Sequence, residues 1–429
     1  MKFARGPGTG LLLALLLAAG ASAQQEPTPR AGEAHTETIL GKSVSAAARD
    51  RTHVTELGLG FQWIPDGPEE RVLVPSGGLY FWRNPEGGEW RLRALVSGLY
   101  DDIRYNRRVA KGSPWEIVAT FENTTLPFDR SEYVEGARIA SEELKWGYVR
   151  AGAGIGYRRA LSPGLQDNVF EAAITYEPGY LYFSRGNETA DTFVLPTDTY
   201  EGRFRLRVRA DAFERNILEL PHRGWAAGLD AWAGRRSSWD DWGGPVFGIQ
   251  SGDEGASWQA IAFYAAAATG VPGVTSERHS LIASAYGGTG RHLDRFSSFR
   301  LGGGSNAGDY ETLSQPILPA AAFEEFVTSR YGIANLEYRY EALFFLYLQA
   351  RGTVARLERP RFSSGGVVEN QTDTLGAVTA AVTSGFVWNS SLELANSRNF
   401  DLFRQTNGAT NRGGSAFYLF WTKEFRSRP

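Results

Sequence analysis

Four arginines at alternate positions, Arg203, Arg205, Arg207 and Arg209, form a dense cationic row. At a spacing of two they share one face of an extended strand. Two chemistries suit such a row. Along a water-filled pore it would be a ladder attracting anions, because rings of fixed charge set selectivity. Facing carboxylates such as Glu171, Glu177, Glu201 and Asp230, it would be neutralised by ion pairs across a lumen. Glu337, Arg339 and Glu341, with Arg351 on the next segment, repeat the alternate spacing and are read as lumenal charges of the same kind.

Other reactive groupings fail on geometry. His279-Ser280 is the one adjacent His-Ser pair, and adjacent residues of a strand point to opposite faces, so they cannot act as base and nucleophile. No catalytic residue is assigned and no enzymatic activity is expected. Gly152-Ala153-Gly154-Ile155-Gly156 and Gly302 to Gly304 lack the Lys-Ser/Thr that follows a phosphate-binding glycine loop. The first set is read instead as a strand thinned on one face and free to curve. The histidines at 35, 53, 222, 279 and 292 are scattered, and there is no cysteine, so neither a metal site, a cofactor nor a disulfide framework is expected.

The element that positions these charges is a strand with one dry face. In Tyr200 to Ala212 the even positions read Tyr, Gly, Phe, Leu, Val, Ala, Ala, and the odd positions from Glu201 to Asp211 are all charged. Phe170, Ala172, Ile174 and Tyr176 alternate with Glu171, Thr175 and Glu177. Ala334, Leu336, Tyr338 and Tyr340 alternate with the second charge group, and Leu346, Leu348 and Ala350 with Tyr347, Gln349 and Arg351. Long, glycine-interrupted strands joined by alternately short and long connections are the pattern of an outer-membrane barrel. Closure follows from lipid, where every backbone N–H and C=O must pair within the protein.

The pattern predicts strands at Val54–Trp63, Arg71–Arg83, Trp90–Asp101, Trp115–Asn123, Lys145–Arg159, Val169–Ser184, Tyr200–Phe213 and Gly224–Arg235. It continues with Trp258–Thr269, His279–Gly287, Arg330–Glu341, Phe344–Leu357, Thr372–Trp388, Ser390–Arg398 and Gly413–Phe425. Fifteen is odd, and an even number is expected. Tight turns at Ser162–Asn168, Pro272–Arg278 and Glu341–Leu343 are read as periplasmic, and long loops at Arg185–Thr199, Arg236–Ser257 and Gly288–Ser329 as extracellular. Keeping that parity places the sixteenth strand near Tyr133–Ala140. The fold expected is an all-β transmembrane antiparallel barrel of about sixteen strands over residues 52–425, with residues 288–329 as its sixth extracellular loop.

The first residues place Lys2 and Arg5 before the apolar run Leu11–Ala19 and end in Ala21-Ser22-Ala23, the form of a secretory signal peptide over residues 1–23. Beyond it the longest apolar stretch, Ala260–Ala268, is far too short for a spanning helix. Glycine at 50 of 429 residues and twelve tryptophans suit kinked strands and interfacial aromatic girdles. The net charge of −3 carries no basic block, so nucleic acid is not an expected partner. Residues 24–51 are a polar segment with Pro27 and Pro29, read either as a flexible tail or as a small plug or periplasmic contact, with a short helix at Ser43–Arg49.

The predicted sixth loop contains Phe299-Arg300-Leu301-Gly302-Gly303, then Gly308-Asp309-Tyr310. It resembles the F-x-L-G-G … R-G-Y/F pattern of the bacterial surface antigen superfamily, the BamA-like and two-partner-secretion barrels. In that family the motif lies in the sixth extracellular loop of a sixteen-stranded barrel and folds back into the lumen. The expected Arg-Gly-Tyr/Phe tip reads Gly308-Asp309-Tyr310 here, with no arginine before the tyrosine, so the resemblance implies that Arg300 replaces it or that the contact is absent. It further implies that Asp309 and Tyr310 face Glu337, Arg339, Glu341 and Arg351. The family's client-capturing POTRA repeats are not expected, since only Gln24 to Arg51 separates the leader from the first strand.

Function then divides. The resemblance implies outer-membrane biogenesis or translocation of protein or lipid in the cell outer membrane of a Gram-negative bacterium, by a monomer among outer-membrane lipid that relies on a periplasmic protein partner. The alternative is a passive porin-like channel for small solutes. An adhesive surface protein would instead use the long loops, where Trp239 and Trp242 lie among acids.

Overall fold

The computed structural model describes residues 28–67, 73–85, 88–126, 128–161, 168–304, 316–363, 368–385, 389–406 and 409–425. Its sixteen strands close into one antiparallel barrel. They are β1 His53–Trp63, β2 Leu73–Arg83, β3 Trp90–Val96, β4 Tyr100–Arg108, β5 Trp115–Thr125, β6 Leu144–Ala160, β7 Val169–Arg185 and β8 Thr199–Asp211. The second half comprises β9 Pro221–Arg236, β10 Ser257–Gly270, β11 His279–Arg291, β12 Arg330–Leu343, β13 Leu346–Phe362, β14 Val368–Gly385, β15 Ser390–Thr406 and β16 Ala409–Glu424. A two-residue continuation, Glu214–Arg215, extends the β8 side against β9 past an irregularity. The seam joins β16 to β1 from Phe417 opposite Trp63 to Glu424 opposite Glu56.

The alternation places its two faces as expected. Ile117, Ile155, Ile174, Phe204, Phe263, Leu336, Val354 and Val378 project from the outer wall and are exposed, forming the apolar belt a bilayer requires. Their neighbours in sequence turn inward and are buried or half-buried.

Two corrections concern the strands and the N-terminal segment. The sixteenth strand is Tyr100–Arg108, not Tyr133–Ala140. The predicted strand Trp90–Asp101 is broken by a turn in which Ser97 donates to the Tyr100 carbonyl and Gly98 has φ 79°. β4 escaped notice because five of its nine residues, Asp101, Asp102, Arg104, Arg107 and Arg108, are charged. Tyr133–Val134 and Ala137–Arg138 form only a two-residue hairpin within a long loop. Nor is there a helix at Ser43–Arg49: Lys42–Ala46 pairs with His35–Ile39 in a hairpin.

Long connections between β5 and β6, β7 and β8, β9 and β10, and β11 and β12 gather on one rim, and the other rim carries shorter turns and the N-terminal hairpin. At the long-loop rim Leu144, Trp146, Leu181, Phe193, Trp239, Trp242 and Phe296 form a buried aromatic cap. Trp239 and Trp242 are therefore packing residues and not the exposed contacts an adhesive loop would offer.

Candidate functional site: an occupied lumen

The inner wall has two halves of different chemistry. From β3 to β9 it is charged. Glu122 on β5 accepts from Arg203 at 2.8 Å and Arg205 at 2.9 Å on β8. Glu177 accepts from Arg203 Nε at 2.7 Å, and Asp230 accepts from Arg205 at 3.2 Å and Arg209 at 2.7 Å. Arg207 lies 3.8 Å from Glu171, which also pairs with Arg91 at 2.5 Å. Glu201 accepts from Arg150 at 2.7 Å, Arg236 at 3.1 Å and the Trp258 indole at 2.9 Å. Of the two chemistries open to the arginine row, the structure shows the ion-paired one.

The glycine run of β6 makes this network possible. Glu122 and Arg203 stand on strands separated by β6 and β7, and the inward positions Gly152 and Gly154 have no side chain to obstruct them. A Cβ at Gly152 would lie 2.5 Å from Thr120 Oγ1 and 2.6 Å from Glu177 Cγ. A side chain there would displace a buried carboxylate.

The other half of the wall combines a broad apolar surface with a few buried charges, among them Glu337, Arg339, Arg351 and Arg404, and the sixth loop lies on it. Phe299–Leu301 pairs with Phe326–Thr328 inside the barrel. Leu301, Leu318, Ala320, Ala321, Ala322 and Phe326 form one buried cluster with inward residues of β9 to β16, among them Tyr264, Tyr286, Ile333, Leu357 and Leu375. Phe299 stacks edge-on to Tyr331 at 5.1 Å. Gly302 and Gly303 permit the two limbs to touch, since a Cβ would lie 2.3 Å from the Ala322 carbonyl and 2.1 Å from the Ala321 carbonyl respectively. Burial of such apolar side chains contributes roughly 1.5–3 kcal/mol each for the larger ones.

Polar contacts fix the loop's position. Arg300 reaches Glu132 at 3.3 Å and the Arg295 carbonyl at 2.9 Å. Arg295 pairs with Glu132 at 2.7 Å, and burial pulls its guanidinium below the ordinary arginine range while that carboxylate opposes the shift. The second limb rests on the seam: Gln62 of β1 donates to the Ala321 carbonyl at 2.6 Å and to Tyr418 of β16 at 2.9 Å. Arg404 of β15, fully buried, holds Glu325 at 2.5 and 3.0 Å and donates to the Ala320 carbonyl at 3.0 Å.

Gln62, Glu325, Arg404 and Tyr418 were missed by the sequence reading, which had no periodic signal for them. Phe299, Arg300, Leu301, Gly302 and Gly303 all lie within the lumen. Gly308, Asp309 and Tyr310 lie outside the described residues. The flanking Gly304 and Ile317 border a small pocket with Glu337, Arg351 and Glu393. Glu337 binds Arg339 and Arg351, each at 2.6 Å, and Glu341 lies nearer the short-turn rim, where it accepts from Tyr347 at 3.1 Å.

That rim is covered as well. In the N-terminal segment, Arg49 pairs with Glu219 at 2.7 Å and Glu424 at 2.5 Å, Arg51 with Glu219 at 2.7 Å, and Glu37 with Arg278 at 3.0 Å. His35 packs on Phe344 at 4.7 Å, and Ala46 joins Ile217 and Phe344 in an apolar cluster. Of the two readings of residues 24–51, the described part is a docked contact. A cavity of about 340 Å³ remains between it and the inner ends of β1, β2, β15 and β16.

His279 bonds Tyr338 on the outer wall at 2.7 Å while Ser280 is buried inside, so the pair is split as the strand geometry requires. Among the described residues no group of three His, Asp or Glu side chains could hold a metal ion.

No protein-family model matches the chain, and no curated protein matches it. Among solved structures it is similar to BamA from Haemophilus ducreyi lacking POTRA domains 1–3, at 10% identity over 98% of this chain and 80% of that one, with a TM-score of 0.51. CdiB from Acinetobacter baumannii matches at 9% identity over 91% of this chain and 65% of that chain, with a TM-score of 0.48. CdiB from Escherichia coli gives 12%, 93%, 68% and 0.47. The first likeness shows the fold: this chain has the architecture of the BamA barrel.

Proposed function

We propose that this chain is a monomeric, non-enzymatic barrel of the Gram-negative outer membrane, exported by its N-terminal signal, that assists biogenesis or translocation of protein or lipid. The observation carrying this reading is the sixth loop, packed on the apolar inner wall and fastened to both sides of the seam through Gln62, Ala321 and Tyr418. A loop so held closes the lumen at rest and couples its release to the seam. The N-terminal hairpin occupies the opposite mouth, where a periplasmic protein partner would displace it. A passive channel is less well supported, since a solute would have to pass both obstructions and a wall whose charges are paired.

The test is single-channel conductance of the refolded protein in planar bilayers, with and without residues Gly303 to Leu313. A small or flickering current that becomes large and steady on deletion supports the occluded barrel. A large steady current in both refutes it and returns the chain to the passive-channel class.

A further inference from the structure

The barrel wall has a notch at the long-loop rim. β2 pairs with β3 only from Leu79, opposite Val96, to Arg83, opposite Leu92. Above Leu79, residues Leu73 to Gly78 pair with β1 alone among the described residues. The β3–β4 hairpin turns at Ser97 to Leu99, and β5 ends at the same height, with Thr125 donating to the Leu99 carbonyl. Six unpaired residues at about 3.3 Å each leave a free edge of about 20 Å. In hydrocarbon such an edge is not stable without an occupant or a polar neighbour.

A cavity of about 560 Å³ fills the notch. Three consecutive residues, Leu73, Val74 and Pro75, border it, so it abuts the strand edge and not one face. Leu126 and Phe128 line its other side, and Phe323 of the sixth loop reaches it from the lumen. Leu73 and Phe128 are 60% and 48% exposed. Arg130 borders the same space with its side chain only 4% exposed. One of its amino groups donates to Glu324 at 2.5 Å and its plane lies 4.0 Å over Trp146. Its Nε and Nη1 have no hydrogen-bond partner among the described residues. The other cations at the rim are satisfied: Lys145 is paired with Asp129 at 3.5 Å, and Arg138 with Glu143 and with Glu188 at 3.1 Å.

From this juxtaposition of an apolar, laterally open cleft and a buried guanidinium with two spare donors, we infer that the notch above the β3–β4 hairpin is a binding site for a membrane amphiphile with an anionic, phosphate-bearing headgroup. The acyl chain lies along Leu73, Leu126 and Phe128, and the phosphate accepts from the Arg130 guanidinium after its buried Nε and Nη1 swing toward the cleft that the residue borders, as charge-assisted hydrogen bonds favour. An added polypeptide strand fits the edge less well, because Pro75 lacks an N–H and proline on an exposed edge discourages pairing.

The chain has no cysteine, so single labels are unambiguous. Ser76→Cys in the notch and Leu336→Cys on the opposite outer wall are each labelled with bimane, and quenching by brominated phosphatidylglycerol and brominated phosphatidylcholine is compared in mixed micelles. The expected result is at least fivefold stronger apparent binding of phosphatidylglycerol at Ser76→Cys and no headgroup preference at Leu336→Cys. Arg130→Gln should bring that preference close to parity, a loss of about fivefold. The wild-type preference stands as a test even if that variant folds poorly. Equal quenching by both lipids at both positions overturns the proposal, as does displacement by equimolar inorganic phosphate, which would identify an anion site without a chain. A benzophenone at Ser76→Cys that crosslinks in native membranes to polypeptide and not to lipid would assign the notch to strand addition and overturn it too.

Discussion

Replacing Arg404 by leucine removes the guanidinium that holds the sixth loop at Glu325 and at the Ala320 carbonyl. Both side chains of this pair are almost wholly buried, at 1% and 4% exposure. In Arg404→Leu the Glu325 carboxylate keeps, among the described residues, the Ala322 N–H at 2.7 Å within its own loop. Removing one partner of a buried pair costs about 3–5 kcal/mol. The docked loop should therefore lose about two to three and a half powers of ten in population relative to the released one. In planar bilayers the variant should spend a measurable fraction of time in a large-conductance state that the parent protein rarely visits. Glu325→Leu added to Arg404→Leu should restore most of the closure, because an apolar pair of similar volume is often as stable as the ion pair it replaces. An unchanged open fraction in Arg404→Leu, with the barrel still folded, would refute the fastening role, and so would a double variant as open as the single.

Gly303→Val should release the second limb through its clash with the Ala321 carbonyl, raising maleimide labelling of Ser397→Cys, buried beneath the loop, about tenfold; unchanged labelling would mean that the limbs separate without cost. Glu219→Gln deprives Arg49 and Arg51 of their shared partner, and because these pairs are partly exposed the loss is about 1–2 kcal/mol. Trypsin should then cleave near Arg49 several-fold faster, 1 M salt should mimic the effect in the parent protein, and insensitivity to both would show that the hairpin is held by its apolar contacts alone. Arg203→Ala strands Glu177 and weakens the environment of Glu122, so the urea midpoint in lipid vesicles should fall by the equivalent of about 3 kcal/mol; a change below about 0.5 kcal/mol would mean water solvates that wall.

The strand phase was legible because alternation is local: each residue's face follows from its neighbours two positions away, as Tyr200 to Asp211 demonstrates. The same rule failed at Tyr100–Arg108, where charge density resembled a loop until both flanking strands were in place. The presence of the Phe299 to Gly303 motif and its place between the eleventh and twelfth strands were also readable, whereas its contacts were not. Arg404 and Glu325 are 79 residues apart, and Gln62 and Tyr418 are 356 apart. No periodicity relates them, and they meet only because β16 closes on β1 and the loop turns inward. Sequence alone determined which faces are dry, what spans the membrane and that charges fill part of the interior. Which carboxylate answers which arginine, that both mouths are covered, and where the wall is notched were decided by closure, strand length and register, which are properties of the whole sheet and not of any one strand.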